Sequence, residues 1–153
     1  MGAIKLSTIK QTSEDKQRLE MFEQLVGIDE QKNKLLTHLE WIMRPLNTSN
    51  WLKEHHPDGL ELANRIKKIP RLIILSGDVG CGKTELSNYV GTKLSQLLED
   101  EPVFVHRAPS DLRGSGLVGD LANRMTAMFE SVKSESTRGD YHILIIDEAD
   151  DVS

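Results

Sequence analysis

The chain has 153 residues, 38% hydrophobic and 28% charged, a composition that suits one ordinary soluble domain with a proper core. A net charge of −5 and a pI near 5.5 provide no overall basic surface for nucleic acid, and no apolar stretch approaches the length of a membrane span. The N-terminus, Met1-Gly2-Ala3-Ile4-Lys5, lacks a signal-peptide apolar core, and a single cysteine excludes an internal disulfide, so a reducing cytoplasm is the expected location.

Thr12-Ser13-Glu14-Asp15 has the form of a capping box and predicts a helix carrying Leu19, Phe22 and Leu25 that stops at Gly27. A second helix is predicted over 30–43, with Leu35, Leu36, Leu39, Ile42 and Met43 on one face and Pro45 marking its end. Residues 46–69 read as a helical connector, interrupted at Pro57-Asp58-Gly59 and closed by Pro70. Trp41 and Trp51 bracket it, either as apolar anchors for the helices or as a partner surface. His55-His56 beside Glu54 and Asp58 has no second ligand cluster, which favours a solvated loop over a metal site. His38, His106 and His142 fall inside predicted elements and read as packing or surface residues.

From residue 71 onward strands and helices alternate. The apolar run Leu72-Ile73-Ile74-Leu75 predicts a strand over 71–76. A helix follows, with Leu86, Tyr89, Val90, Leu94, Leu97 and Leu98 at helical spacing. Pro102 precedes a strand over 103–107. After a Gly-rich loop comes a helix with Val118, Leu121, Ala122, Met125, Met128, Phe129 and Val132 in step. A polar loop over 134–140 leads to His142-Ile143-Leu144-Ile145-Ile146, a run suited to a strand buried on both faces. This order predicts a three-layer α/β fold with a parallel sheet and right-handed crossovers. The expected division is 1–45 for the N-terminal helices, 46–70 for the connector and 71–153 for the α/β core.

The chemistry is concentrated in two places. Gly77-Asp78-Val79-Gly80-Cys81-Gly82-Lys83-Thr84 satisfies GxxxxGK[ST] without a mismatch, between a predicted strand and a predicted helix. In that setting the backbone N–H groups of the loop cradle nucleotide phosphates, Lys83 reaches the β- and γ-phosphates, and the Thr84 hydroxyl holds Mg²⁺. The helix that opens here, with Glu85 in the same nucleotide-contacting run, aims its positive end at the anion. Cys81 is read as a small loop residue pointing away from the ligand. The second place is Asp147-Glu148, at the end of the last predicted strand. Asp147 is expected to complete the magnesium shell, and Glu148 to polarise the attacking water as general base.

From about Val26 onward the sequence resembles the large α/β subdomain of an AAA+ ATPase. Val26-Gly27 followed by Asp29-Glu30-Gln31-Lys32 resembles the segment whose backbone contacts adenine in that family. Residues 77–84 match its phosphate loop, with Asp78-Val79 where Pro-Pro is usual and Cys81 where Thr is usual. Residues 143–150 (ILIIDEAD) match its acidic strand-end motif, and 115–120 resemble its first pore loop. The resemblance gives Leu117 and Val118 the place of the substrate-gripping residues, without the usual aromatic; they serve equally as the start of the following helix's apolar face. It implies ATP and Mg²⁺ as cofactors, ATP hydrolysis, a homo-oligomeric ring (a hexamer in the full-length protein) and a protein substrate. Within the family the chain looks similar to the branch that remodels HORMA-domain proteins, whose bacterial members sit in antiphage operons beside nucleotide-second-messenger synthases. The family's polar sensor, arginine finger and helical lid lie beyond residue 153, so none of Arg107, Arg113, Arg124 and Arg138 is assigned as the finger. Two other readings remain open: a nucleotide-dependent scaffold with little hydrolysis, and a DNA-acting AAA+ protein such as a helicase loader, against which the acidic balance weighs.

Overall fold

The computed structural model describes residues 5–56, 71–110, 120–136 and 140–147. Leu117, Val118 and Glu148 lie outside the described residues, as do most of the connector beyond His56 and the middle of the polar loop. The backbone groups into two compact units, Met1–Gln24 with Thr84–Ser153, and Leu25–Lys83.

The first unit is built on a sheet in the order β1 (Ser7–Gln11), β2 (Val103–Arg107), β3 (Tyr141–Ile145). The β2–β3 ladder is parallel, as expected, with Phe104 opposite His142 and Arg107 opposite Ile145. Strand β1 was not anticipated. It runs antiparallel to β2, with Thr8 opposite His106 and Gln11 opposite Val103. Because side chains alternate across a sheet, Val105 and Arg107 share one face while Phe104 and His106 take the other.

Helix α1 (Lys16–Glu23) opens with Asp15 as N-cap, its carboxylate accepting from Arg18 N at 3.1 Å. The capping residue is therefore the last of the expected Thr-Ser-Glu-Asp run, and the helix ends before Gly27. Helix α4 (Lys83–Leu97) buries Leu86, Val90 and Leu94, three positions four residues apart, against the Val105 face. Leu97, expected on that stripe, is 41% exposed. Helix α1 lies along α4, with Arg18 over the Tyr89 ring and Lys93 paired to Glu23 at 3.1 Å. On the opposite sheet face, helix α5 (Asp120–Glu135) inserts fully buried Met128 beside Ala108, with Leu6, Met125, Leu144 and Ile146 around it. Phe129, predicted for the same apolar stripe, faces out at 56% exposure. The layering is helix, sheet, helix, in agreement with the expected fold class.

The interior of this unit holds an inserted amide. Gln11 is 1% exposed, donates through Nε2 to the Asn88 carbonyl at 2.7 Å, and accepts on Oε1 from Thr92 N at 2.9 Å and Thr92 Oγ1 at 3.1 Å. Asn88 C=O and Thr92 N–H are the two members of one i→i−4 helical pair, so a β1 side chain bonds to both ends of an α4 ladder rung. Gly91 makes room for it. A Cβ there would lie 2.8 Å from Gln11 Oε1 and 2.9 Å from Val105 Cγ2.

The second unit contains α2 (Asp29–Met43) and α3 (Pro45–His55). Helix α2 buries Leu35, Leu36 and Leu39 together with Lys32, whose ammonium reaches Asp29 at 3.6 Å. Proline at N1 of α3 both ends α2 and starts its successor, since a missing N–H costs nothing there. The strand expected over 71–76 is not formed. Residues 72–78 carry no regular secondary structure, and Leu72 and Ile74 are 70% and 79% exposed. Apolar β-branched content favours a strand only when a neighbour completes its hydrogen bonds, and no described segment pairs with this one.

Candidate nucleotide site

The phosphate-loop sequence forms a tight reversal in the second unit. Gly80 at φ +79 and Gly82 at φ +88 occupy the left-handed region that L side chains rarely adopt, the backbone freedom a phosphate-cradling loop requires. Lys83 folds back over this loop, donating to Gly77 O at 2.7 Å and Asp78 O at 2.8 Å. Cys81 is exposed, with its sulfur 3.7 Å from the Lys83 ammonium. Val79 is fully exposed at the loop tip. Beside the loop lies the segment expected on the adenine side. Val26 is 84% exposed, and the next apolar residue, Ile28, comes within 3.9 Å of the Cβ position of Gly82. Loop and segment therefore lie next to each other, leaving exposed apolar surface from Val26.

In the first unit, Thr84 and Asp147 meet across 63 residues of sequence. The Thr84 hydroxyl donates to Asp147 Oδ2 at 3.1 Å and lies 3.4 Å from Oδ1. Thr84 opens the first turn of α4, while Asp147 follows the end of β3, so the parallel arrangement brings both to the same edge. A hydroxyl and a carboxylate, hard oxygen donors at this separation, fit a magnesium-sized cation that keeps water in its remaining positions. Glu85 is exposed in the first helical turn. Glu148, adjoining Asp147, lies outside the described residues.

Sequence reading missed two residues here. Arg107, at the tip of β2, sends Nη1 to Asp147 Oδ2 at 3.3 Å and Nη2 to Asn88 Oδ1. Asn88 sits one helical turn after Thr84 and thus on the same face of α4. The available signal was positional: a charged residue ending a buried strand, next in the sheet to the strand that ends at Asp147.

A second polar cluster occupies the far sheet face. His106 is fully buried, with Nδ1 2.9 Å from Thr8 Oγ1 and Nε2 2.9 Å from His142 Nδ1, while Glu135 lies 3.7 Å away. Burial, first, and then the neighbouring His142 hold the His106 imidazolium below its usual range, with Glu135 opposing them. His142 stacks on Phe104, and its Nε2 is buried with no hydrogen-bond partner. Both histidines are packing groups, as their positions in strands suggested, and no group of three or more metal-ligating side chains forms among the described residues.

Residues 73–153 match the family described as "ATPase family associated with various cellular activities (AAA)". The chain belongs to the AAA family. Among curated relatives it is 33% identical over 139 residues to CD-NTase-associated protein 6 of Escherichia coli strain MS 115-1, covering 86% of this chain and 44% of that protein. A second protein of that name, from Escherichia coli strain KTE188, is 26% identical over 129 residues. Among solved structures, a chain of the E. coli MS115-1 HORMA:CdnC:Trip13 complex aligns with TM-score 0.80 and 30% identity over 95% of this chain and 48% of that one. Rhizobiales Trip13 aligns with TM-score 0.73 and 31% identity over 97% of this chain and 52% of that one. The matches group this AAA chain with the Trip13-like proteins, the branch expected from its sequence. The chain spans about half the length of the relatives it matches.

Proposed function

We propose that this chain carries the nucleotide-binding part of an ATP-hydrolysing motor that remodels a HORMA-domain protein. The observation that carries the reading is the bond between Thr84 and Asp147, 3.1 Å long, because it brings the hydroxyl of the phosphate-loop motif to the carboxylate of the acidic strand end. Lys83 and the loop amides would hold the phosphates, Thr84 and Asp147 the magnesium, and the segment at Val26 and Gly27 the base. When bound, the metal neutralises phosphate charge and keeps the terminal phosphate in line for attack. The chain's own contribution is positional: the loop fixes the phosphates, the meeting of α4 with β3 fixes the metal oxygens, and Glu148 orients and deprotonates the water. Ring assembly, a cytoplasmic setting and a grip on the partner through Leu117 and Val118 belong to the same proposal. The HORMA partner is supported by the likeness to a chain of the HORMA:CdnC:Trip13 complex together with the likeness to Rhizobiales Trip13.

The test uses the full-length protein. Lys83→Ala abolishes ATP binding, whereas Glu148→Gln keeps binding, stalls turnover and accumulates the complex with its HORMA partner. Wild-type turnover by Glu148→Gln rejects Glu148 as the base. ATP binding without turnover in the wild type favours the scaffold reading instead.

A further inference from the structure

The geometry points to Arg107 as a positioning residue that holds Asp147 against Thr84 and contests that carboxylate with the divalent cation. This inference rests on the nucleotide reading above and adds to it the control of metal affinity from within the chain. Its basis is a short bonded path. Arg107 Nη1 lies 3.3 Å from Asp147 Oδ2, the same oxygen that accepts from Thr84 Oγ1 at 3.1 Å. The other arm of the guanidinium is fixed on the Asn88 side-chain oxygen. Asn88 is itself held, because its backbone carbonyl accepts from buried Gln11 at 2.7 Å. The guanidinium is thus anchored from β1 and α4 and aimed at the end of β3.

Arg107 is 33% exposed and Asp147 41% exposed, so the pair is reachable by solvent and ions but shielded from full screening. A magnesium ion on Asp147 would sit about 2.1 Å from its oxygen, which leaves the fixed guanidinium within about 5 Å of a doubly charged cation. Two like charges at that separation, at an effective dielectric of about 20 and with partial solvent screening, repel strongly enough to change metal affinity about tenfold or more. The side chain therefore has opposing effects. It sets the carboxylate in the direction the metal needs, and its charge weakens the metal's hold. The result is a cation site that fills when the triphosphate supplies the extra negative charge.

The experiment measures the affinity of the full-length protein for a fluorescent ATP analogue, once with EDTA and once with saturating Mg²⁺. The ratio of the two dissociation constants reports how strongly metal and nucleotide reinforce each other. Arg107→Gln, close in size and still hydrogen-bonding, should shrink that ratio about tenfold, equivalent to about 1.4 kcal/mol, because metal then binds without waiting for nucleotide. Arg107→Lys, which keeps the charge, should return it towards the wild-type value. A structural role alone would move both constants together and leave the ratio unchanged. An unchanged or larger ratio in Arg107→Gln overturns the inference while the nucleotide reading stands. Failure of the wild-type protein to bind the analogue under either condition sinks the nucleotide reading and this inference with it.

Discussion

Replacing Gln11 by Ala is expected to loosen helix α4 from the sheet. The carboxamide makes three hydrogen bonds, to Asn88 O, Thr92 N and Thr92 Oγ1, at a position 1% exposed. Each intramolecular bond is worth about 0.5–1.5 kcal/mol net, and a buried group left without a partner costs about 1–3 kcal/mol. Asn88 O and Thr92 N are an i→i−4 pair and recover each other once the amide is gone, so roughly one bond is regained. The remaining cost, lost bonding plus the space vacated, is about 2–3 kcal/mol. That is a large share of the 5–15 kcal/mol typical of a folded domain. It corresponds to roughly 30–140-fold faster exchange of the α4 amides where exchange follows the opening equilibrium, at tenfold per 1.4 kcal/mol. Hydrogen–deuterium exchange of peptides covering 86–98 in the full-length protein reads this directly. Exchange rates in Gln11→Ala within about twofold of wild type would refute the reasoning, since the inserted amide would then be supporting nothing.

Gly91→Ala tests the same contact from the other side. A methyl group there meets Gln11 and Val105 at under 3.0 Å. Overpacking of about 1–3 kcal/mol should outweigh the roughly 1 kcal/mol helix preference for alanine, so a lowered thermal midpoint is expected. His106 should give an acid-side stability slope. Its folded value lies below the unfolded value near 6.5, so the unfolded chain binds more protons as pH falls through that value. Thermal midpoints should therefore drop between pH 7.5 and pH 5.5, and His106→Gln should flatten the slope; equal slopes in both proteins would contradict this. Thr84→Ala should weaken Mg²⁺-dependent nucleotide binding about 10–100-fold while leaving metal-free binding largely intact, as titrations with and without EDTA would show.

What the sequence disclosed follows from how tightly chemistry dictates residue type. A phosphate cradle needs glycines where φ is positive, and Gly80 and Gly82 occupy those positions. The meeting of Thr84 with Asp147 followed from a parallel βα order, which delivers strand ends and helix starts to one edge of a sheet. The expected strand over 71–76 failed for the converse reason. Its apolar run shows what the side chains prefer, whereas a strand is defined by pairing, and pairing depends on a neighbour that a local pattern does not contain. Strand β1 escaped notice because four of its five residues are exposed and the one it buries is a glutamine. A search for apolar alternation passes over a strand whose anchor is an amide. Arg107 was missed on similar grounds, since a charge at a strand tip reads as solvated until its two partners are in view.

Both halves of the proposed site keep their polar groups bonded within the protein. Lys83 donates to two loop carbonyls, at 2.7 and 2.8 Å, and Asp147 accepts from Thr84 and Arg107, at 3.1 and 3.3 Å. Ligand binding is therefore an exchange of bonds, and affinity measures only the surplus over those already made. For Lys83 the exchange is favourable, because a neutral carbonyl gives way to a charged phosphate oxygen and charge-assisted bonds are roughly twice as strong. For Asp147 the balance is closer, since a metal would share the carboxylate with a guanidinium that already offsets its charge. In the proposed complex, phosphate beside the metal would bring the negative charge that offsets its repulsion from Arg107, while metal alone would meet that repulsion in full. On this argument Mg²⁺ should bind far more weakly without nucleotide than with it, as magnesium titrations with and without ATP would show.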